Sequence, residues 1–142
     1  MDNIDLADRF AVTDVVLRFF QLVDDGRAAE TSGLFTPDAT LTFGPGAPKP
    51  GTIQGADIPA AMTARQAQTH VTTRHVLSNL AVASHPEGGV KVRSLLTLFR
   101  SEDEGRDSYP ASVADIEDLL VRTADGWRIR ARTITPIFNR AS

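Results

Sequence analysis

The sequence predicts an α+β domain, because apolar residues recur at helical spacing in its first third while its second half is rich in Val, Ile, Thr and Leu. The helical segments come first and the strand segments follow consecutively, which is typical of helices covering one face of a curved sheet. The chain has 142 residues, 42% of them hydrophobic, and contains no repeat, linker or low-complexity tract. We therefore expect a single compact domain over residues 1–142.

A first helix is predicted over residues 4–25, and Gly26 ends it as a C-terminal cap. Four side chains at helical spacing share its buried face: Phe10, Leu17, Phe20 and Asp24. The opposite, solvated side carries Asp14, Arg18, Gln21 and Asp25. Of the two adjacent acids, Asp24 is thus predicted to point inward and Asp25 outward.

The segments that follow are shorter. Residues 28–35 predict a short second helix, residues 36–38 a turn and residues 39–43 a strand. Residues 44–51 consist mostly of Gly and Pro, which support neither helix nor sheet pairing. This segment is therefore predicted to be a loop that could serve as a lid. Good helix formers over residues 57–68 predict a third helix.

The second half predicts consecutive antiparallel strands separated by turns rich in Gly, Pro and Asp. The predicted strands are residues 69–84, 90–100, 111–123 and 127–138, with turns at 86–89, 102–105 and 125–126.

Charge and composition exclude several functions. The 15 Lys and Arg residues against 18 Asp and Glu give a net charge of −3 without long blocks of one sign, so a nucleic-acid partner is not expected. No cysteine is present, which excludes disulfides, thiolate nucleophiles and Cys-type zinc sites. The acidic N-terminus is unlike a signal peptide and no apolar run could cross a bilayer. We expect a soluble, cytoplasmic protein with a small-molecule substrate and no membrane partner.

The three histidines do not predict a metal site. His70 and His75 lie at odd separation in one predicted strand and should face opposite sides, and His85 beside Pro86 is expected to be exposed. The carboxylates are scattered without the spacing of zinc or iron ligands. We therefore expect chemistry that uses neither a metal nor another cofactor.

Asp24 and His75 are titratable residues at positions where the local pattern predicts burial. Imidazole titrates near neutral pH, and a buried carboxylate can orient it and stabilise the imidazolium that forms on proton transfer. The pair is the main candidate for catalysis. The alternative is a solvated helix end and a hydrogen-bonded core histidine.

Four stretches of the sequence together resemble the SnoaL-like branch of the NTF2-like superfamily. They are RFFQLVDDG at 18–26, LFTPDA at 34–39, HVLSN at 75–79, and DGWRI at 125–129 followed by Arg132. This resemblance covers nearly the whole chain and implies a cone-shaped fold, in which a bent antiparallel sheet wraps around three helices and leaves a deep apolar pocket. Relatives include scytalone dehydratase, a dehydrochlorinase, polyketide cyclases, ketosteroid isomerase, epoxide hydrolases and non-catalytic binders.

The resemblance places Asp24 and His75 at the positions of the Asp–His dyad of the dehydratase and dehydrochlorinase branch. It also matches Asp118 to the carboxylate of a Tyr-x-Asp pattern whose tyrosine is replaced here by Ile116. Phe19 stands where relatives often have Tyr or a cationic residue. These apolar replacements predict a more apolar pocket and keep a non-catalytic role open.

Further substrate-binding candidates follow from position. Asn79 lies at even separation from His75, Tyr109 lies beside Pro110 near a loop, and Phe20 shares the helix face of Asp24. The resemblance matches Arg132 to an arginine near the leaving group. Strand alternation instead groups Arg132 with Arg128 and Arg130 on a solvated face, opposite Trp127 and Ile129, unless a bulge intervenes. Asp115 and Glu117 are expected to be solvated.

Three hypotheses remain at this point. The chain could be a cofactor-independent lyase or dehydratase for a mid-sized cyclic or polyketide-like compound, a polyketide cyclase or isomerase using the same base, or a non-catalytic small-molecule-binding module. The outer face of the sheet, with Arg93, Arg122, Arg128 and Arg130 among apolar neighbours, predicts self-association. We expect a homodimer, with a trimer as the alternative.

Overall fold

The computed structural model describes residues 4–102 and 110–140 and contains three helices. Helix α1 spans Leu6–Asp24, a 3₁₀ helix spans Ala28–Leu34, and helix α2 spans Asp57–Ala67. The Asp5 side chain accepts a hydrogen bond from the Asp8 amide and so caps the start of α1. Gly26, at a φ of +78°, lets the chain turn away after α1, as the sequence predicted.

Six strands form one mixed sheet in the order β2-β1-β6-β5-β4-β3. The strands are β1 Phe35–Phe43, β2 Gly51–Gln54, β3 Thr72–Ser84, β4 Val90–Ser101, β5 Pro110–Thr123 and β6 Gly126–Asn139. Strands β3 to β6 pair antiparallel in sequence order, which confirms the predicted α+β fold with its run of antiparallel strands. Strand β1 pairs parallel with β6, a long-range contact that no local pattern indicated.

One prediction about the strands before α2 was wrong, and one strand was not predicted. Strand β1 begins at Phe35, so residues 36–38 belong to a strand and not to a turn; Pro37 is exposed, and the pairing with β6 is irregular between Phe35 and Thr40. A strand can hold a proline where its partner leaves the ladder. Strand β2, at the edge of the sheet, was not predicted because it is four residues long and depends on its antiparallel pairing with β1.

Helix α1 packs its apolar side on the inner face of the sheet. Val12, Val16 and Phe20 from α1 meet Ile116 and Ile129 in one buried cluster. Phe10 was predicted to belong to this face, but it is 64% exposed, because it lies on the opposite side of α1 from the buried Val12 and Val16. The predicted solvated side of α1 is exposed, as expected.

A bulge in β6 overturns the alternation argument for Arg132. Leu119 pairs with Ala131 but Leu120 pairs with Ile129, so Arg130 is an extra residue in β6. Because of this extra residue, Ile129 and Arg132 face the same side of the sheet although an odd number of positions separates them. Both are buried. Arg130 is exposed, so the solvated basic face predicted for this strand does not include Arg132.

A second irregularity affects Asn79. The pairing of β3 with β4 shifts between Ser78 and Ala81, and Asn79 adopts a φ of +56° there and is exposed. The even spacing from His75 therefore does not put Asn79 on the inner side, because the regular alternation of β3 ends before it. None of the helices in residues 4–102 and 110–140 is long and apolar enough to span a bilayer.

Candidate active site

A cavity of about 280 Å³ lies on the inner face of the sheet. Its walls come from α1, α2, the inner faces of β1, β3, β4, β5 and β6, and Ala47 and Pro48 of the loop between β1 and β2. Most of the lining is apolar, with Phe19, Phe20, Val23, Leu41, Phe43, Met62, Leu96, Leu98, Ala114, Ile134 and Pro136. A cavity of about 150 Å³ can hold benzene, so this one has room for a small compound of one or two rings.

Asp24 and His75 meet at the wall of this cavity. His75 Nδ1 lies 2.6 Å from Asp24 Oδ1, and the His75 backbone amide donates to Asp24 Oδ2 at 2.8 Å. The two side chains are only 12% and 11% exposed. Asp24 is the last residue of α1 and His75 lies on the inner face of β3, so packing of the helix on the sheet creates the contact.

Two further residues extend this contact into a chain of hydrogen bonds. The buried Thr73 hydroxyl donates to Asp24 Oδ1 at 2.8 Å and accepts from the Arg65 guanidinium at 3.2 Å. Thr73 lies two residues before His75 and therefore on the same face of β3. Arg65 reaches it from the last turn of α2.

The environment keeps Asp24 ionised. Burial alone would raise the pKa of Asp24, but hydrogen bonds from the His75 ring and amide and from Thr73, together with the charge interaction with His75, bring it below its ordinary value of 3.8. An ionised Asp24 accepts a hydrogen bond from a protonated His75 Nδ1. His75 Nε2 is then the ring nitrogen that is available to a molecule in the cavity. This is a geometry suited to proton abstraction.

Aromatic rings support the imidazole. The Phe20 ring packs against the His75 ring at a centroid distance of 4.8 Å, and Phe19 meets Phe20 edge to face at 5.0 Å. Both phenylalanines line the cavity. They restrict the position of His75 and present an apolar surface to a bound ring.

Arg132 and Asp118 form a buried ion pair behind this aromatic wall. Arg132 Nε and Nη2 donate to the two Asp118 oxygens at 2.6 and 3.1 Å, and both side chains are completely buried. The guanidinium also lies 4.7 Å from the centres of the Phe19 and Phe20 rings. Neither residue lines the cavity, so neither is placed to touch a substrate there, and the pair instead supports the two phenylalanines.

The remaining sequence candidates are not part of this cavity. Asn79 is exposed and absent from its lining, and Tyr109 lies outside the described residues. His70 is exposed and precedes β3, and His85 is half-buried, not exposed, with its ring accepting from the Glu87 amide. In the described ranges, no three His, Asp or Glu side chains are grouped so that they could hold a metal ion.

Sequence reasoning missed four polar residues near the dyad. Thr73 could have been found from its spacing to His75, and Arg100 and Ser112 share strand alternation with inward-facing Leu98 and Ala114. Arg65 had no comparable signal, because its position depends on how α2 packs against the rest of the fold.

A family model described as a SnoaL-like domain matches residues 5–133 of the chain. None of the curated proteins matches the sequence. Among solved structures, a putative scytalone dehydratase from Novosphingobium aromaticivorans is similar with a TM-score of 0.78 at 17% identity, covering 96% of this chain and 89% of that one. At such a low identity, the structural similarity shows that the two chains share a fold and no more than that.

Two other solved structures have the same fold. ActVI-ORFA from Streptomyces coelicolor has a TM-score of 0.76 at 20% identity, with 91% of this chain and 96% of that chain covered. A protein from Catenulispora acidiphila in complex with S-DNPA has a TM-score of 0.75 at 21% identity, with 93% and 95% covered.

Proposed function

Because the chain belongs to the family of SnoaL-like domains, we propose that it is a cofactor-independent lyase of the dehydratase type, acting on a small cyclic or polyketide-like compound. The observation that carries the proposal is the contact of His75 Nδ1 with the ionised Asp24 at the wall of an apolar cavity. A positioned base of this kind contributes about 10²- to 10⁴-fold to a rate.

In the proposed reaction, His75 Nε2 removes a proton from a carbon next to a substrate carbonyl. The electron pair of the broken C–H bond forms an enolate, whose oxygen accepts hydrogen bonds from a donor of the cavity such as the Ser112 hydroxyl. The enolate re-forms the carbonyl, and its electron pair forms a C=C bond between the deprotonated carbon and the next carbon as the C–O bond on that next carbon breaks. The departing hydroxide takes the proton from the imidazolium, and water leaves.

Asp24 has a positioning role in this scheme. It holds the imidazole in one tautomer and stabilises the positive ring while the proton resides on Nε2. Thr73 and the His75 amide fix the carboxylate in turn. The apolar side chains that line the cavity around the base exclude water, which strengthens the interaction between the carboxylate and the imidazolium.

A cyclase or isomerase that uses the same base is the second candidate. The cavity lining within the described residues contains no carboxyl group or tyrosine that could protonate a leaving group. Ring closure or a double-bond shift needs no leaving hydroxyl, so this lining suits those reactions as well. If the protein only bound its ligand, the contact of His75 with Asp24 would have no catalytic role.

Deuterium exchange tests the base separately from the elimination. With 1-tetralone in D₂O, we expect the protein to catalyse exchange at the carbon next to the carbonyl, followed by NMR. With 3-hydroxy-1-tetralone, loss of water yields 1-naphthol, which is followed by fluorescence. Both rates should fall about 10²- to 10⁴-fold in His75→Ala and Asp24→Asn.

The matched controls are His70→Ala and Asp25→Asn, which remove an exposed histidine and an exposed acid beside the proposed pair. They should retain the wild-type rates. Exchange without loss of water would favour the cyclase or isomerase. Exchange no faster than in His75→Ala would overturn the enzymatic proposal and leave the binding module.

A further inference from the structure

Two guanidinium groups lie in the wall of the same cavity. Arg65 extends from the last turn of α2 and Arg100 from the end of β4, and both are half-buried whereas Leu41, Leu96 and Ala114 in the lining are buried. Both arginines are therefore partly accessible to solvent. No Asp or Glu belongs to the lining contributed by residues 4–102 and 110–140, so the charged side chains there are cationic.

Partial burial of the Arg65 guanidinium costs free energy of solvation, which its contacts with the protein offset only in part. A guanidinium has five N–H donors, and in the described parts of the chain Arg65 uses one of them, toward Thr73. Burial lowers its pKa, and the nearby Arg100 lowers it further, while Asp24 opposes both effects. Two like charges that face one partly buried space provide a favourable position for an anion.

Asp24, the carboxylate that shares Thr73 with Arg65, is already engaged. Asp24 accepts hydrogen bonds from the His75 ring, the His75 amide and Thr73. Glu102 accepts from Arg100 at 3.0 Å and is 67% exposed, and ion pairs that are exposed to this degree are weak.

We propose that Arg65 and Arg100 form a carboxylate-binding subsite, so that the cavity takes a small ring compound bearing a carboxylate. The ring would lie against the apolar lining that includes Phe20, Leu41 and Leu96, and the carboxylate against the two guanidinium groups. This inference extends the proposed function, since it assumes that the substrate binds in the same cavity. It adds a feature of the substrate that the Asp24–His75 contact alone does not specify.

The subsite also orients the ring. A carboxylate fixed at Arg65 limits which ring carbon can approach His75, because both residues line one cavity and are linked through Thr73 and Asp24. Planar guanidinium groups bind carboxylates through paired N–H donors, which gives direction as well as affinity.

Calorimetric titration of two isosteric probes tests the subsite. We expect 2-naphthoate to bind the wild-type protein about 10- to 100-fold more tightly than the uncharged 2-naphthamide, as typical for charge-assisted hydrogen bonds. Arg65→Gln and Arg100→Gln should each weaken binding of 2-naphthoate while affecting 2-naphthamide little. Arg65→Lys should retain part of the preference because it keeps the charge without the paired donors.

Arg93→Gln is the matched control, because Arg93 is an exposed arginine of β4 that points away from the cavity. It should bind both probes like the wild type. Equal affinity of the wild type for the two probes, or a preference unchanged in Arg65→Gln, would overturn the subsite.

This test is independent of the proposed chemistry. His75→Ala should lose catalysis yet keep the preference for 2-naphthoate. Wild-type activity that depends on His75, without any preference for 2-naphthoate, would reject the subsite alone. A preference for 2-naphthoate without any activity would reject the proposed reaction alone.

Discussion

Asp24 and Asp25 are adjacent acids with opposite environments. Asp25 is exposed beyond the end of α1, whereas Asp24 is buried against β3 and accepts from three donors on Thr73 and His75. The helical pattern predicted this difference, because a step of about 100° separates neighbouring side chains. The donors that hold Asp24 in its ionised form come from a strand almost fifty residues further along the chain.

The lowered pKa of Asp24 makes the stability of the protein depend on pH. The folded state keeps Asp24 ionised at pH values where the unfolded chain, near the ordinary value of 3.8, already binds a proton. The stabilisation is therefore fully present above the unfolded pKa and is lost as pH falls through the lower folded pKa. We expect the wild type to exceed Asp24→Asn in free energy of unfolding at about pH 6, and this difference to shrink at about pH 2.5.

Urea denaturation at the two pH values measures this difference. Asp25→Asn is the control and should follow the wild type at both, since Asp25 is exposed. A difference between wild type and Asp24→Asn that is the same at both pH values would contradict the pKa direction.

Strand β6 shows how one extra residue changes the role of an element. The bulge at Arg130 turns Arg132 into the interior, where it pairs with Asp118 of the neighbouring β5 and lies over Phe19 and Phe20. Arg132 Nη2 also donates to the Val16 carbonyl of α1 at 3.4 Å. One buried side chain thus connects two strands and the helix that carries the aromatic wall of the cavity.

Removing one partner of this pair should be strongly destabilising. Asp118→Asn leaves the completely buried Arg132 without a compensating charge, for which we expect a loss of about 3–5 kcal/mol in the free energy of unfolding. Chemical denaturation measures the loss. Asp115→Asn, on the exposed side of the same strand, should change stability by less than about 0.5 kcal/mol.

The double variant Asp118→Leu with Arg132→Met separates charge from packing. It removes both charges and should recover most of the stability lost in Asp118→Asn. A double variant as unstable as the single one would show that the pair acts through its shape and not through charge compensation.

At the scale of the whole molecule, the sheet has two different faces. The inner face carries the helices and the cavity, and the outer face carries a row of paired residues across four strands: Val76, Thr97, Val113 and Phe138. Val76 is 50% and Phe138 is 68% exposed. Exposed apolar side chains that align across a sheet are suited to contact with a second copy.

The homodimer expected from the sequence stays a prediction, and this row gives it a specific surface. Light scattering on a size-exclusion column should give twice the mass of the chain. Val76→Glu should shift the mass toward the monomer, because it places a charge within an apolar contact. Asp38→Lys, an exposed substitution on β1, should leave the mass unchanged. A monomer for the wild type at micromolar concentration would contradict the prediction.

The sequence by itself determined the helices, the long antiparallel strands, the inward position of Asp24 and the family resemblance, because each depends on periodicity or on residues close together in the chain. It also identified Asp24 and His75 as a pair worth testing. Their spacing of 51 residues could be interpreted only through the resemblance.

Only the tertiary structure decided which strand β1 joins, where the bulges fall and which polar side chains share the cavity. The parallel pairing of β1 with β6 and the bulge at Arg130 depend on contacts between distant segments, so no local pattern specifies them. The burial of Arg132 follows from the bulge, and the contact of Arg65 with Thr73 follows from the packing of α2 in the fold. Alternation predicts the face of a side chain only while pairing stays regular, as it does around Thr73 and His75 in β3 but not around Arg132 in β6.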